Sequence, residues 1–400
     1  MDFFFSFALL ILCLVFGFGR VGGFFNPICL FCASILLAEV AILISDSLGL
    51  LRFLSIGDSS KVLIVFNIAT IFFMLPWLTL LFKKPDIIYE FTDKSKYVKV
   101  VKGLSFILLI LLFLGFILLG GTPIFNMILG KLNVDEYNAS LINLPFGFLT
   151  LILSTSILLN LYLSSFIANR SYYNITYLFI ASILLLCLFG ALWQGKRQGL
   201  LMLIFMIAAR LAQRKSNKSV VKKITTAFIT FIVAVTFFFI FTQVSKVRTN
   251  SSETDSYELI SYAMYPAMNM VTIIDHFPTY GSAVVPKHIV SEIIPWRFAS
   301  GGDEADGSFL FEPTSPSGYF SNWYMDYGYL GVILGALFMS FISKYFFFRR
   351  NRSEHHMRIY IFVLWCCATA GVYSHLINLN FFIFPFLILL AINKIKFSFK

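Results

Sequence analysis

Apolar runs long enough to cross a bilayer recur along this chain, and within lipid a helix lets each such run satisfy its own backbone hydrogen bonds. Eleven runs stand out, at 2–19, 22–45, 62–82, 104–121, 143–168, 175–193, 199–212, 224–241, 326–348, 359–373 and 377–393. Most reach the roughly 20 residues that a helix needs to span about 30 Å of hydrocarbon. The run at 199–212 is short, so it is expected to start deeper or to be partly re-entrant. Of 400 residues 58% are hydrophobic, 48 are Phe and 13% are charged. The expected fold class is therefore an all-α polytopic membrane protein of 11 transmembrane helices with one large extracytoplasmic loop. Met1-Asp2-Phe3-Phe4-Phe5 lacks the basic segment that opens a secretory signal, so the first span is expected to be retained.

Charge placement tests that count, because cytoplasmic loops collect Lys and Arg. If alternate loops face the cytoplasm, Arg20, the segment 83–102, Arg170, the run 210–223, the run 344–358 and Lys394, Lys396 and Lys400 lie inside, 22 of the 31 basic residues. The other side keeps nine: Arg52, Lys61, Lys131, Lys196, Arg197, Lys246, Arg248, Lys287 and Arg297. The bias fits an N-terminus outside and a cytoplasmic C-terminus. Net charge +11 then follows from topology and anionic headgroups on the inner leaflet, and nucleic acid is not an implied partner. Three regions result: helices 1–8 over 1–241, an extracytoplasmic loop over 242–325, and helices 9–11 with a cytoplasmic C-terminus over 326–400.

The loop breaks from its surroundings by being acidic and aromatic, which makes it the expected place for chemistry. Tyr257, Ile260, Met264, Ala267 and Val271 recur near helical spacing, predicting a helix over 257–277 that lies on the membrane surface and is kinked by Pro266. His276 and His288 have acid/base chemistry available, although a lone loop histidine usually serves neither role. Asp303, Glu304 and Asp306 do not have the alternate-position spacing of an EF-hand and read as a solvated turn, so no metal is expected. Glu312 to Tyr319 leads into Trp323, Tyr324, Asp326 and Tyr327. Aromatic faces beside hydroxyls and carboxylates suit sugars, while Trp and Tyr at a span's end equally make an interfacial belt.

Outside the loop, Gln194-Gly195-Lys196-Arg197-Gln198-Gly199 holds two cations on the outer side, against the charge rule. They suit an anionic ligand, Arg as a bidentate fork for phosphate oxygens and Lys as a mobile charge, with snorkelling to headgroups as the alternative. Glu39 lies inside an apolar run, where a charge is costly unless paired; a relay or a structural hydrogen bond would explain it. His375 falls between the last two runs on the outer side, where it can approach the same cavity. All six cysteines fall in apolar runs, and the Cys29-x-x-Cys32 spacing reads as packing.

Taken together, the stretch WQGKRQG from Trp193 to Gly199, Arg248 soon after the next outward span, and SPSGYFSNWYMDYGYLGVILG from Ser315 to Gly335 resemble the Wzy-type polymerases of bacterial O-antigen and capsule repeat units. The chain lacks the His-centred motif that related O-antigen ligases carry in the last third of the loop. The resemblance implies glycosyl transfer at the outer face of the bacterial inner membrane, between polyprenyl diphosphate-linked oligosaccharides. It implies no nucleotide sugar or other cofactor, contact with membrane lipid, and a chain-length regulator as a partner protein. Arg197 and Arg248, with Lys196, would stabilise the departing diphosphate. Glu312 is the first choice for general base and Asp326 the second. Arg297, Trp296, Tyr319 and Tyr324, with Ser315, Ser317 and His375, would bind glycan and diphosphate. The rival class is a lipid-linked oligosaccharide flippase, which would carry polar residues through the bundle centre and need no large loop.

Overall fold

The computed structural model describes residues 2–47, 56–81, 198–213, 258–277, 286–293, 318–372 and 382–394, with scattered positions at 110, 157, 158, 160, 161, 164, 165, 376 and 378. The described residues are mostly helical and include no strand. In chain order the helices are α1 (Asp2–Phe16), α2 (Pro27–Ser47), α3 (Ile56–Met74), α4 (Gln198–Ala212), α5 (Glu258–His276), α6 (Lys287–Ile293), α7 (Tyr319–Arg349), α8 (Glu354–Ala368) and α9 (Phe384–Lys394). A π-helical turn, Gly17–Gly22, continues α1, and a 3-10 stretch, Leu75–Leu81, continues α3.

Four spans, Phe3–Val21, Pro27–Ile44, Ser60–Leu81 and Tyr319–Arg349, are long and apolar enough to cross a membrane. The runs expected at 104–121, 175–193 and 224–241, and nearly all of that at 143–168, lie outside the described residues. So does the expected loop apart from 258–277, 286–293 and 318–325. Two compact units emerge, Met1–Ile87 with Ser256–Phe386, and Ile88–Asp255 with Leu387–Lys400. Within the second unit, α4 buries Met202, Leu203, Met206 and Ala209, recurring at helical spacing, and carries Arg210 in its last turn.

The first unit is built around α2, which packs against α1, α3, α5 and α8. Ile28, Phe31, Cys32, Ile35 and Ala38 are wholly buried at helical spacing, while Leu37, Leu43 and Ile44 of the same helix are exposed. Phe31 stacks on Phe73 of α3, with ring centroids 4.0 Å apart and planes within 6°. Around this centre the outward faces are apolar too. Phe4, Phe5, Leu12 and Val15 of α1 are exposed, and so are Leu330, Leu334, Phe338, Phe341, Tyr345 and Phe348 of α7, at helical spacing along one side. Water would penalise such a stripe; lipid tails do not.

Among the polar contacts that cross this apolar interior, two join neighbouring helices of the bundle. The hydroxyl of Ser6 in α1 donates to the Glu39 carboxylate in α2, both buried. Ser340 Oγ in α7 donates to the Phe73 carbonyl at 2.6 Å. At one end of α7 the chain turns through 350–353, where Lys344, Arg349, Arg350, Arg352 and Arg358 gather. Ser353 caps α8 by accepting from the His356 N–H at 3.3 Å.

The amphipathic helix expected over 257–277 is present as α5, with Pro266 inside it. It packs against α2, α3 and α7 and buries Ala267, Met268, Asn269, Met270, Val271, Ile273 and Ile274. This part of α5 is enclosed by protein on more than one face, rather than laid on a surface by one apolar stripe. The run expected at 359–373 is a 15-residue helix, α8, that starts earlier and ends at Ala368.

Candidate functional site

The closing aromatic stretch does not form a straight span. In a continuous α-helix, residues 323 and 331 would stand about 12 Å apart along the axis. Here a Cβ placed on Gly331 would lie 1.8 Å from the Trp323 carbonyl oxygen, and the Tyr319 hydroxyl donates to the Gly335 carbonyl at 3.1 Å. The two arms of α7, 319–327 and 329–349, therefore fold back on each other as a re-entrant hairpin. Its turn is Gly328, at φ 58° and ψ −142°, a conformation that side chains disfavour. Trp323 packs across the arms, over Gly335 and 6.0 Å from Phe338.

The start of the first arm is anchored inside the bundle. Gly318 takes φ 83°, the Tyr319 N–H donates to Ala370 O at 3.0 Å, and the Gly371 N–H donates to Ser34 Oγ of α2 at 2.8 Å. Tyr319 and Tyr324, both expected to contact glycan, are fully buried. Tyr319 is committed to bridging the arms. Tyr324 meets Tyr329 edge-on across the turn at 5.4 Å, and its hydroxyl has no hydrogen-bond partner among the described residues.

At the hairpin's tip stands Asp326, 1% exposed. Its Oδ1 accepts the His288 N–H at 3.0 Å and lies 2.9 Å from His288 Nδ1; its Oδ2 accepts the Ile289 N–H at 2.8 Å. A carboxylate borrowed from another helix thus caps the start of α6, satisfying amides that a helix cannot satisfy itself. Each oxygen accepts a backbone N–H and the side chain is buried, which places Asp326 to orient its neighbour. His288 is that neighbour, and its side chain is 21% exposed.

Phe277, just past the end of α5, lies between two imidazoles, its ring centroid 5.2 Å from His276 and 5.3 Å from His288. One residue further back, Asp275 pairs with Lys61 near the start of α3, and both are exposed. The end of α5, the starts of α6 and α3 and the tip of α7 bring Lys61, Asp275, His276, His288 and Asp326 to one end of the bundle. That clustering offers cation, carboxylate and imidazole beside aromatic rings, a surface suited to hydroxylated and anionic ligands. Among the described residues no group of three or more His, Cys, Asp or Glu is placed to hold a metal ion.

Of the residues singled out in the sequence, Asp326, Tyr319 and Tyr324 fall within this hairpin. Lys196, Arg197, Arg248, Trp296, Arg297, Glu312, Ser315, Ser317 and His375 lie outside the described residues. Sequence reasoning missed Lys61 and Asp275 as a pair, since 214 positions separate them, and it saw His288 without the carboxylate 38 positions on. Cys13, Cys29, Cys32, Cys366 and Cys367 are buried free thiols. No family model matches the chain, and comparison with curated proteins and with solved structures likewise finds no match.

Proposed function

We propose that this chain is a bacterial inner-membrane glycosyltransferase that polymerises polyprenyl diphosphate-linked oligosaccharide repeat units at the extracytoplasmic face. The observation that carries the reading is the hairpin. The stretch through which the sequence resembles the repeat-unit polymerases, 315–335, supplies both its first arm and its tip. That tip gathers with Lys61, Asp275, His276 and His288 at an end of the bundle that the charge bias assigns to the outside. An acceptor hydroxyl attacks the donor's anomeric carbon, the new C–O bond forms, and the C–O bond to the diphosphate breaks with its electron pair leaving on the lipid. Negative charge grows on the departing oxygen, so cations fixed there favour the transition state over the ground state. Arg197, Lys196 and Arg248 take that role in this reading, Glu312 remains a candidate base, and Arg297, Trp296, Ser315, Ser317 and His375 are ligand contacts.

The test is reconstitution in proteoliposomes with polyprenyl diphosphate-linked repeat units and no nucleotide, ATP or added metal. Products of two or more units are expected. Products that stay one unit long, with folded protein, overturn the assignment. A second reading, a lipid-linked oligosaccharide flippase, draws on buried polar groups in the bundle, notably Ser6 with Glu39, Asn269, and Thr70 Oγ1, which has no hydrogen-bond partner among the described residues. In cells, Arg197→Ala leaves single units displayed outside if the chain is a polymerase, whereas loss of a flippase traps them inside.

A further inference from the structure

We infer that the end of α7's second arm is a binding site for one anionic phospholipid, whose acyl chains lie along the arm's exposed apolar stripe and whose phosphate meets Arg349 and Arg352. The inference stands apart from the glycosyl-transfer reading. The second arm, 329–349, is about 30 Å long at about 1.5 Å per residue, the thickness of a bilayer's hydrocarbon. Its stripe ends in Phe341, Tyr345 and Phe348, all exposed, beside the turn where basic residues gather. From 344 to 358 there are five Lys and Arg against one carboxylate, Glu354.

These five cations are not equivalent. Lys344 Nζ donates to the Pro76 carbonyl at 2.6 Å and to Thr79 Oγ1 at 2.8 Å, which ties it to the 3-10 stretch after α3. Arg350 is buried, its guanidinium 3.8 Å from the Phe347 ring centroid and donating to the Phe347 carbonyl. Arg358 is buried too, 3.8 Å from the Glu354 carboxylate. Those three hold the fold together. Arg352, by contrast, is exposed and Arg349 is half-buried, and among the described residues no carboxylate pairs with either. The Arg349 guanidinium lies 3.9 Å from the centroid of the exposed Tyr345 ring and donates to the Tyr345 hydroxyl, so the charge is held on the apolar stripe itself. The Arg352 N–H donates to the Arg349 carbonyl at 3.0 Å, closing a turn that keeps the two residues within about 7 Å. Both charges reach the same neighbour: burial, and then Arg349 and Arg352, hold the His356 imidazole below its usual value. A phosphodiester supplies the anion that this pair lacks, and its own tails cover the stripe that a soluble phosphate would leave bare.

The experiment titrates the full chain, delipidated in a non-ionic detergent, with phosphatidylglycerol, with phosphatidylcholine of the same chains, and with glycerol phosphate, a headgroup without tails. Native mass spectrometry counts what is bound, and thermal melting checks folding. One phosphatidylglycerol is expected to bind about tenfold more tightly than phosphatidylcholine, and glycerol phosphate should not displace it. Arg349→Gln and Arg352→Gln each weaken that binding about fivefold, and together about 25-fold, at about 1 kcal/mol per cation beside an anionic headgroup. Tyr345→Leu leaves the stripe apolar and the charge unchanged but releases Arg349, for a loss of about two- to fivefold that charge alone would not produce. Arg20→Gln removes an exposed cation on a different helix and should stay within about twofold of wild type. If Arg349→Gln melts early, the exposed Arg352 carries the test. Equal affinity for the two lipids, displacement by glycerol phosphate, or an Arg20→Gln loss as large as that of Arg352→Gln overturns the inference. So does a dimer that excludes lipid because a second copy covers the stripe. None of these outcomes bears on glycosyl transfer.

Discussion

Gly331→Ala is the sharpest perturbation of the hairpin. The added methyl would sit 1.8 Å from the Trp323 carbonyl oxygen and 2.5 Å from its carbon, both backbone atoms, and 3.1 Å from Tyr327 Cβ. No rotamer change relieves a clash with backbone, so the arms must part by roughly 1.5 Å to restore ordinary contact. Overpacking alone costs about 1–3 kcal/mol, and parting the arms also threatens the Tyr319 to Gly335 hydrogen bond, worth about 1 kcal/mol. A total near 3 kcal/mol corresponds to a fall of about 6 °C in melting temperature for a large chain, at about 2 °C per kcal/mol. The buried thiols supply the assay: Cys29, Cys32, Cys366 and Cys367 are at most 1% exposed, so a thiol-reactive dye reports unfolding in detergent. Gly335→Ala meets the Trp323 ring at 2.8–2.9 Å, a side chain that can give, and should fall less. Gly19→Ala, with nothing within 4 Å, should melt like wild type. A Gly331→Ala protein melting within about 1 °C of wild type would refute the folded-back geometry.

Two further outcomes follow from polar groups near the turn between α7 and α8 and near the hairpin's tip. Burial and the charges of Arg349 and Arg352 hold the His356 imidazole below its usual value. A depressed cationic group binds more protons unfolded than folded, so its contribution is intact above the unfolded value near 6.5 and is lost as pH falls from there toward the folded one. Melting temperature should therefore fall between pH 7.5 and 5.5, and His356→Gln should shrink that fall; an unchanged fall in the variant counts against it. Near the tip, Lys61→Ala should cost at most about 1 kcal/mol, since both partners of the ion pair are well exposed.

Hydropathy located helices of spanning length. Runs 2–19, 22–45 and 62–82 correspond to the apolar spans Phe3–Val21, Pro27–Ile44 and Ser60–Leu81, because a bilayer imposes composition on whatever crosses it. The same logic hid the first arm of α7. Ser321, Asn322, Tyr324 and Asp326 lower its apolar score, yet they are buried because protein rather than lipid surrounds them. A window that sums hydropathy cannot separate such a half-helix from a loop. Gly328, Gly331 and Gly335 were the local trace of a close return, and nothing in their spacing said which chain they admit. Amphipathicity over 257–277 announced α5 but not what it would face, since a face turned to α2 or α3 reads in sequence like one turned to headgroups. Pairings such as Lys61 with Asp275 are long-range, and no local pattern encodes them.

The bond from Ser6 to Glu39 has a consequence for assembly. Lipid tails are as apolar as Phe4, Phe5, Leu12 or Val15, so greasy contact gives the first helix little reason to prefer one neighbour or one depth. A lone acceptor sunk in the bundle changes that, because hydrocarbon offers it nothing and a serine at the matching height does. The oily helix thereby receives an address. Ser6→Ala should loosen its seat far more than trimming any one of its phenylalanines that faces the lipid.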